Sequence, residues 1–159
     1  MVILGIDPGT TRIGYGIIDK SNNKLTCLEY GILANKGKDN AIDYKNTFEN
    51  LSKLIIKYSP TMASMEKLFY FKNQRTIMSV SEMRGVLMYT LAHHGIEVKE
   101  FTPLEVKVAV SSYGRADKDQ VQRMVKLILG INDNISPDDA ADGLAIAICC
   151  ANNIVYPNK

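Results

Sequence analysis

The chain predicts an α/β fold: a mixed five-stranded sheet flanked by helices. Three observations carry this. The first thirty-odd residues hold three consecutive strand-like segments joined by tight turns. Two further short apolar segments then alternate with stretches of helical periodicity. After the fifth strand only helical patterns follow, so helices must cover the sheet that the strands build. A length of 159 residues suits one domain with a real core, and residues 1–159 are read as a single unit.

Val2 to Asp7 reads as a strand stopped by Pro8-Gly9. Arg12 to Asp19 reads as a second strand carrying Gly14 and Gly16, and strand glycines often mark close approach of another backbone or a ligand. Ser21-Asn22-Asn23 is a turn, and Lys24 to Ala34 a third strand, so the chain opens as an antiparallel meander. Asn40 to Tyr58 places Ile42, Phe48, Leu51, Leu54, Ile55 and Tyr58 at helical spacing, and Pro60 ends it. Met62 to Leu68 is a short strand holding Glu66. Gln74 to His94 is a long helix with Gly95 as its stop, and Ile96 to Phe101 is the last strand. Pro103 to Val110, Lys118 to Leu129 and Pro137 to Ala151 complete the chain as helices.

Composition excludes several classes. The hydrophobic share of 46% and charged share of 23% are those of an ordinary globular protein. Three cysteines, with no paired spacing, form neither a disulfide framework nor a zinc site. No signal peptide or bilayer-length apolar run is present, and a cytoplasmic location without membrane association is expected. There is no phosphate-loop lysine motif, no nucleophile-elbow serine and no zinc-protease histidine pair. Net charge is +2, but unevenly spread. Lys67 to Lys126 holds ten Lys/Arg against six Asp/Glu, whereas Asp133 to Asp142 holds four Asp and no cation. A basic stretch beside an acidic knot is compatible with phosphate-backbone binding around a metal, and equally with a solvated mixed surface.

Certain acids sit where packing alone would not put them. Asp7 closes the first strand, and Glu66 ends the fourth. Asp138, Asp139 and Asp142 open the last helix, in "ISPDDAADGLAIAICCA". Ser136 as N-cap, Pro137 in the first turn and Asp139 as the capping-box acid account for part of this group. They leave Asp142 unexplained, since its helical neighbours Ala145, Ile146 and Cys149 are apolar. Asp139 and Asp142 share a face, and the helix carries no Lys or Arg to neutralise them. If these acids converge, they need cations, and hard oxygen donors favour Mg²⁺ or Mn²⁺. Two such ions roughly 3.5–4 Å apart are the usual clamp for hydrolysing a phosphodiester.

The segments "GIDPGTTRIGYGIID", "MEKLFYFKNQRT", "MRGVLMYTLAHHGI", "TPLEVKVAVSSYGRADKDQVQRMVKLILG" and "PDDAADGLAIAICCA" run in the order of, and together resemble, the RuvC family of bacterial Holliday junction resolvases. The first segment alone is also similar to the hairpin of sugar kinases and chaperone ATPases, but those need two such lobes. The resemblance implies an RNase H-like fold and a homodimer. It implies an endonuclease that cuts four-way DNA junctions in recombination and repair, with two Mg²⁺ per subunit for which Mn²⁺ can substitute. Asp7, Glu66, Asp139 and Asp142 match the family's catalytic, metal-holding acids, and Asp138 is left as a helix-capping extra. Phe69 matches the loop residue that enters the junction centre. Lys107 and Lys118 match basic positions that contact DNA near the scissile bond, with Arg75 and Arg115 as further DNA-binding candidates. A RuvA–RuvB branch-migration complex is the implied partner. The Gln74–His94 stretch is apolar around most of its circumference, which suits a two-fold dimer interface. The His93–His94 pair at its end reads as a helix-terminal feature.

Overall fold

The structure, a computed structural model, describes residues 1–22, 24–68 and 77–154. The strands are β1 (Val2–Asp7), β2 (Arg12–Ser21), β3 (Lys24–Ala34), β4 (Met62–Glu66) and β5 (Glu97–Phe101). The helices are α1 (Asn40–Tyr58), α2 (Ile77–His93), α3 (Pro103–Ser111), α4 (Lys118–Leu129) and α5 (Asp138–Asn152). The strands form one sheet in the order β3-β2-β1-β4-β5. β1, β2 and β3 are antiparallel neighbours, while β4 lies parallel to β1 and to β5. The mixed five-stranded sheet is the one the sequence predicts. The first parallel step requires a crossover, and α1 supplies it.

Local chemistry sets the helix ends. Asp39 caps α1, accepting from the backbone N–H groups of Ala41 and Ile42, and Ser59 closes it in the left-handed region at φ 47°. Thr102 with Glu105 and Asp117 with Gln120 form complete capping boxes at α3 and α4. The expected capping box at α5 is absent. Pro137 is the N-cap, in extended conformation, and makes no side-chain cap hydrogen bond. The helix therefore starts one residue later than expected, and Ser136 falls outside it.

The two faces of the sheet bury separate cores. Leu4, Ile6, Ile13, Tyr15, Ile17 and Met65 pack with Leu51 and Ile55 of α1 and Met83, Leu87 and Leu91 of α2. On the other face Ile3, Ile18 and Phe101 pack with α3, α4 and nearly every side chain of α5. Alternation along β1 leaves Gly5 and Asp7 on the α5 face with Ile3. In β4 it leaves Ser64 and Glu66 there, and the Ser64 hydroxyl bonds the Ile146 carbonyl of α5 at 3.2 Å.

Glycines let α5 lie directly on the strands' backbone. A Cβ added at Gly14 would sit 1.8 Å from the Asp139 carbonyl oxygen, and one at Gly16 would sit 2.6 Å from Leu144 Cα. Gly143 closes on the same surface from the helix side, where a Cβ would meet Tyr15 Cα and carbonyl carbon at 2.6 Å. Gly143 is thus a contact surface between α5 and β2.

Candidate active site

The edge of the sheet where β1 and β4 end gathers the acids. Ile6 and Met65 pair in the parallel register, so the next residues, Asp7 and Glu66, leave adjacent strand ends on one face. The N-terminal turns of α5 cross this edge. The close seat on Gly14 and Gly16 brings Asp139 and Asp142 toward Asp7. A pocket of about 370 Å³ opens there, lined by Asp7, Glu66 and Asp142 together with Lys107 of α3 and Lys118 of α4.

Electrostatics report the convergence. The Asp7 carboxyl is pushed up from 3.8 to about 7, first by burial, then by the negative charges of Asp142, Glu66 and Asp139, with Lys118 pulling partly the other way. Burial likewise raises Asp142, against the opposing pull of Lys118. The other three sequence-selected acids therefore all act on Asp7. They are not drawn into a closed chelate: among the described residues no three His, Cys, Asp or Glu side chains form a metal-ready cluster.

Two cations, neither on α5, intervene. Lys118 Nζ lies 3.4 Å from Asp142 Oδ2 and 3.4 Å from Asp138 Oδ2. Arg12 Nε, from the first residue of β2, lies 3.3 Å from Asp139 Oδ2, and neither residue lines the pocket. The acids of α5 were expected to be unneutralised, and this is corrected: the helix itself lacks cations, but β2 and α4 supply them. Arg12 carries no motif that could have marked it, because only the sheet's path past α5 creates the pairing. Asp138 does not cap; its carboxyl sits below the usual range because Gln122 of α4 donates a hydrogen bond to it and Lys118 lies beside it.

Of the basic candidates, Lys107 and Lys118 line the pocket, whereas Arg115 is exposed in the α3–α4 loop and does not. Phe69 and Arg75 lie outside the described residues, as do Tyr70 and Phe71. Of the apolar residues of α2, Met83, Leu87 and Leu91 are buried, while Met78 and Tyr89 stand exposed at 72% and 63%. Tyr89 and His93 stack on each other and contact Phe48 of α1, and His94 Nε2 meets Ser52 Oγ at 2.9 Å. The histidines are thereby packed against α1, as befits the helix-terminal reading.

Residues 3–150 match the family model of the crossover junction endodeoxyribonuclease RuvC. The RuvC of Caldanaerobacter subterraneus is 43% identical over 155 residues, spanning 96% of this chain and 94% of the relative. That of Natranaerobius thermophilus is 44% identical over 150 residues, spanning 94% and 93%. Among solved structures, Thermus thermophilus RuvC in complex with Holliday junction substrate superposes with a TM-score of 0.89 at 27% identity, covering 95% of this chain and 93% of that one. The fowlpox virus Holliday junction resolvase, at a TM-score of 0.65 and 14% identity, shares the RNase H-like fold. Sequence and architecture agree across nearly the whole length, and the chain belongs to the RuvC crossover junction endodeoxyribonuclease family.

Proposed function

We propose that this chain resolves four-way DNA junctions as a structure-selective endonuclease, hydrolysing one phosphodiester in each of two symmetric strands. The observation that carries this reading is a pocket lined by Asp7, Glu66, Asp142 and two lysines, in which burial and the charges of Asp142, Glu66 and Asp139 raise the Asp7 carboxyl to about 7. Such a concentration of oxygen donors is electrostatically costly alone and is relieved by a divalent cation. Asp7, Glu66, Asp139 and Asp142 fit that role in donor chemistry, with Asp139 and Asp142 first leaving Arg12 and Lys118. Mg²⁺, two per subunit, with Mn²⁺ as substitute, is the fitting choice for an all-carboxylate set. When bound, such ions supply an activated water and charge neutralisation at the phosphate.

The protein's own groups do the rest. The two strand-end acids are fixed by the sheet, so their positions do not depend on loop order. Lys107 and Lys118 flank the pocket and meet the non-bridging oxygens of the DNA backbone. Water attacks phosphorus, the bond to the 3′-oxygen breaks, and that oxygen leaves as a hydroxyl while the phosphate stays on the 5′ side. A two-fold dimer supplies two copies of the site for two strands. The exposed Met78 and Tyr89 of α2 support placing the partner on that helix. Phe69 opens the junction centre, and Arg75 and Arg115 add backbone contacts. Residues 1–159 act as one nuclease domain in the cytoplasm, where a RuvA–RuvB complex would present the junction. Among the described residues no helix is long and apolar enough to cross a membrane.

Nicking of a labelled four-way junction against a linear duplex, with and without Mg²⁺, tests this. Paired, Mg²⁺-dependent nicks confined to the junction are expected. Equal cutting of both DNAs, or none, overturns it.

A further inference from the structure

Asp138 has no capping duty, yet two side chains of another helix hold it. Lys118 and Gln122 stand one turn apart on α4, so they present to the same side. Lys118 Nζ reaches Asp138 Oδ2 at 3.4 Å, and the Gln122 amide donates to the same carboxylate. The same Nζ lies 3.4 Å from Asp142 Oδ2. Asp142 lines the pocket and Asp138 does not, so the ammonium is shared between a carboxylate inside and one outside.

We propose that Asp138, steadied by Gln122, is a positioning residue that keeps the Lys118 ammonium at the mouth of the pocket when Asp142 is taken up by a cation. This rests on the junction-cleaving reading above. A divalent ion held by Asp142 would repel the ammonium. A half-exposed lysine freed of its only partner regains its rotamers and disperses into solvent. With Asp138 as a second anchor one helical turn before Asp142, the ammonium shifts a short distance and remains beside the incoming phosphate. Gln122 matters because a carboxylate that could rotate toward water would hold nothing; the amide turns it toward α4. Asp138 thereby acts through Lys118 and touches no reacting atom.

The test uses the full chain. Single-turnover cleavage of a four-way junction in Mg²⁺ is measured for Asp138→Asn, Asp138→Glu, Lys118→Ala and the Asp138→Asn/Lys118→Ala double variant. Asp138→Asn is expected to slow cleavage about two- to fivefold, the scale of a solvent-facing ion pair, with junction affinity little changed. Asp138→Glu should recover most of the rate, and Asp138→Asn should cost nothing further once Lys118 is gone. The loss should also shrink as ionic strength rises. Independently of activity, acylation of Lys118 by an N-hydroxysuccinimide acetate, read by mass spectrometry on Mg²⁺-loaded protein, should accelerate in Asp138→Asn by a similar factor. Unchanged rate and labelling, or a loss that persists without Lys118, overturns the proposal. A wild-type chain that fails to nick the junction overturns the junction reading instead, and the labelling ratio still decides whether Asp138 holds Lys118.

Discussion

Arg12 Nε stands 3.3 Å from Asp139 Oδ2, joining the first residue of β2 to the first turn of α5 across 127 positions of sequence. Together with Lys118 on Asp142, it gives the metal-free pocket its own internal counter-ions. Replacing Lys118 by Ala should therefore deepen the repulsion felt by Asp7, whose carboxyl Lys118 now pulls downward. The expected result is a small loss of melting temperature in chelator at pH 8, worth at most about 1 kcal/mol because the pair is half-exposed. Mg²⁺ should then stabilise the variant more than it stabilises the wild type. An equal Mg²⁺ shift in both would show that Lys118 is no stand-in for the ion.

Asp7 gives the metal-free protein a specific pH response. Its folded pKa, about 7, exceeds the ordinary value of 3.8, so the folded state binds this proton more tightly than the unfolded one. The stability it contributes is present below about pH 4, declines as pH rises toward 7, and is flat above. Asp7→Asn should remove that decline and raise the melting temperature in chelator at pH 8. The same change should cut junction cleavage at least roughly a hundredfold. Thermal melts from pH 5 to 8 and a nicking assay check both; full activity in Asp7→Asn would refute the role of this carboxylate.

Gly14→Ala tests the seating of α5. The new methyl would overlap the Asp139 carbonyl oxygen at 1.8 Å, and neither partner is a flexible side chain. Overpacking of this kind costs about 1–3 kcal/mol. At roughly 2–4 °C per kcal/mol, that is a fall of about 2–12 °C in melting temperature. Because the displaced segment carries Asp139 and Asp142, cleavage should fall more than stability implies. A normal rate at permissive temperature would mean that the acids tolerate a shifted helix.

Glu29 of β3 is a structural counterpart with the opposite pH sense. It accepts from Tyr15 Oη at 3.0 Å and Lys57 Nζ at 2.8 Å, and also from the Tyr58 hydroxyl. The Lys57 and Tyr58 hydrogen bonds hold its carboxyl below the usual 4.5, so the stability it contributes is present above that value and lost as pH falls further. Glu29→Gln should lower the melting temperature at pH 7 and reduce its acid sensitivity, with cleavage unaffected. Unchanged acid sensitivity would show that the network adds nothing measurable.

Much of the molecule is written locally. Continuous apolar runs and Pro-Gly punctuation mark β1 and β2, helical spacing marks α1 and α4, and capping boxes begin α3 and α4, because these patterns act within a few residues. Asp7 and Glu66 were legible as strand-end acids, and Asp142 as a carboxylate on an apolar helix face. The glycines of β2 were legible as a place of close approach, though not what approaches. Tertiary structure alone decided the rest. Nothing near Arg12 in sequence tells that it faces Asp139, nor that Lys118 and Gln122 turn Asp138 from a presumed cap into a tether. Ion pairs between elements more than ten residues apart leave no periodic trace in the chain. They arise only when the sheet's order and the depth of α5 on its glycines fix which charges meet.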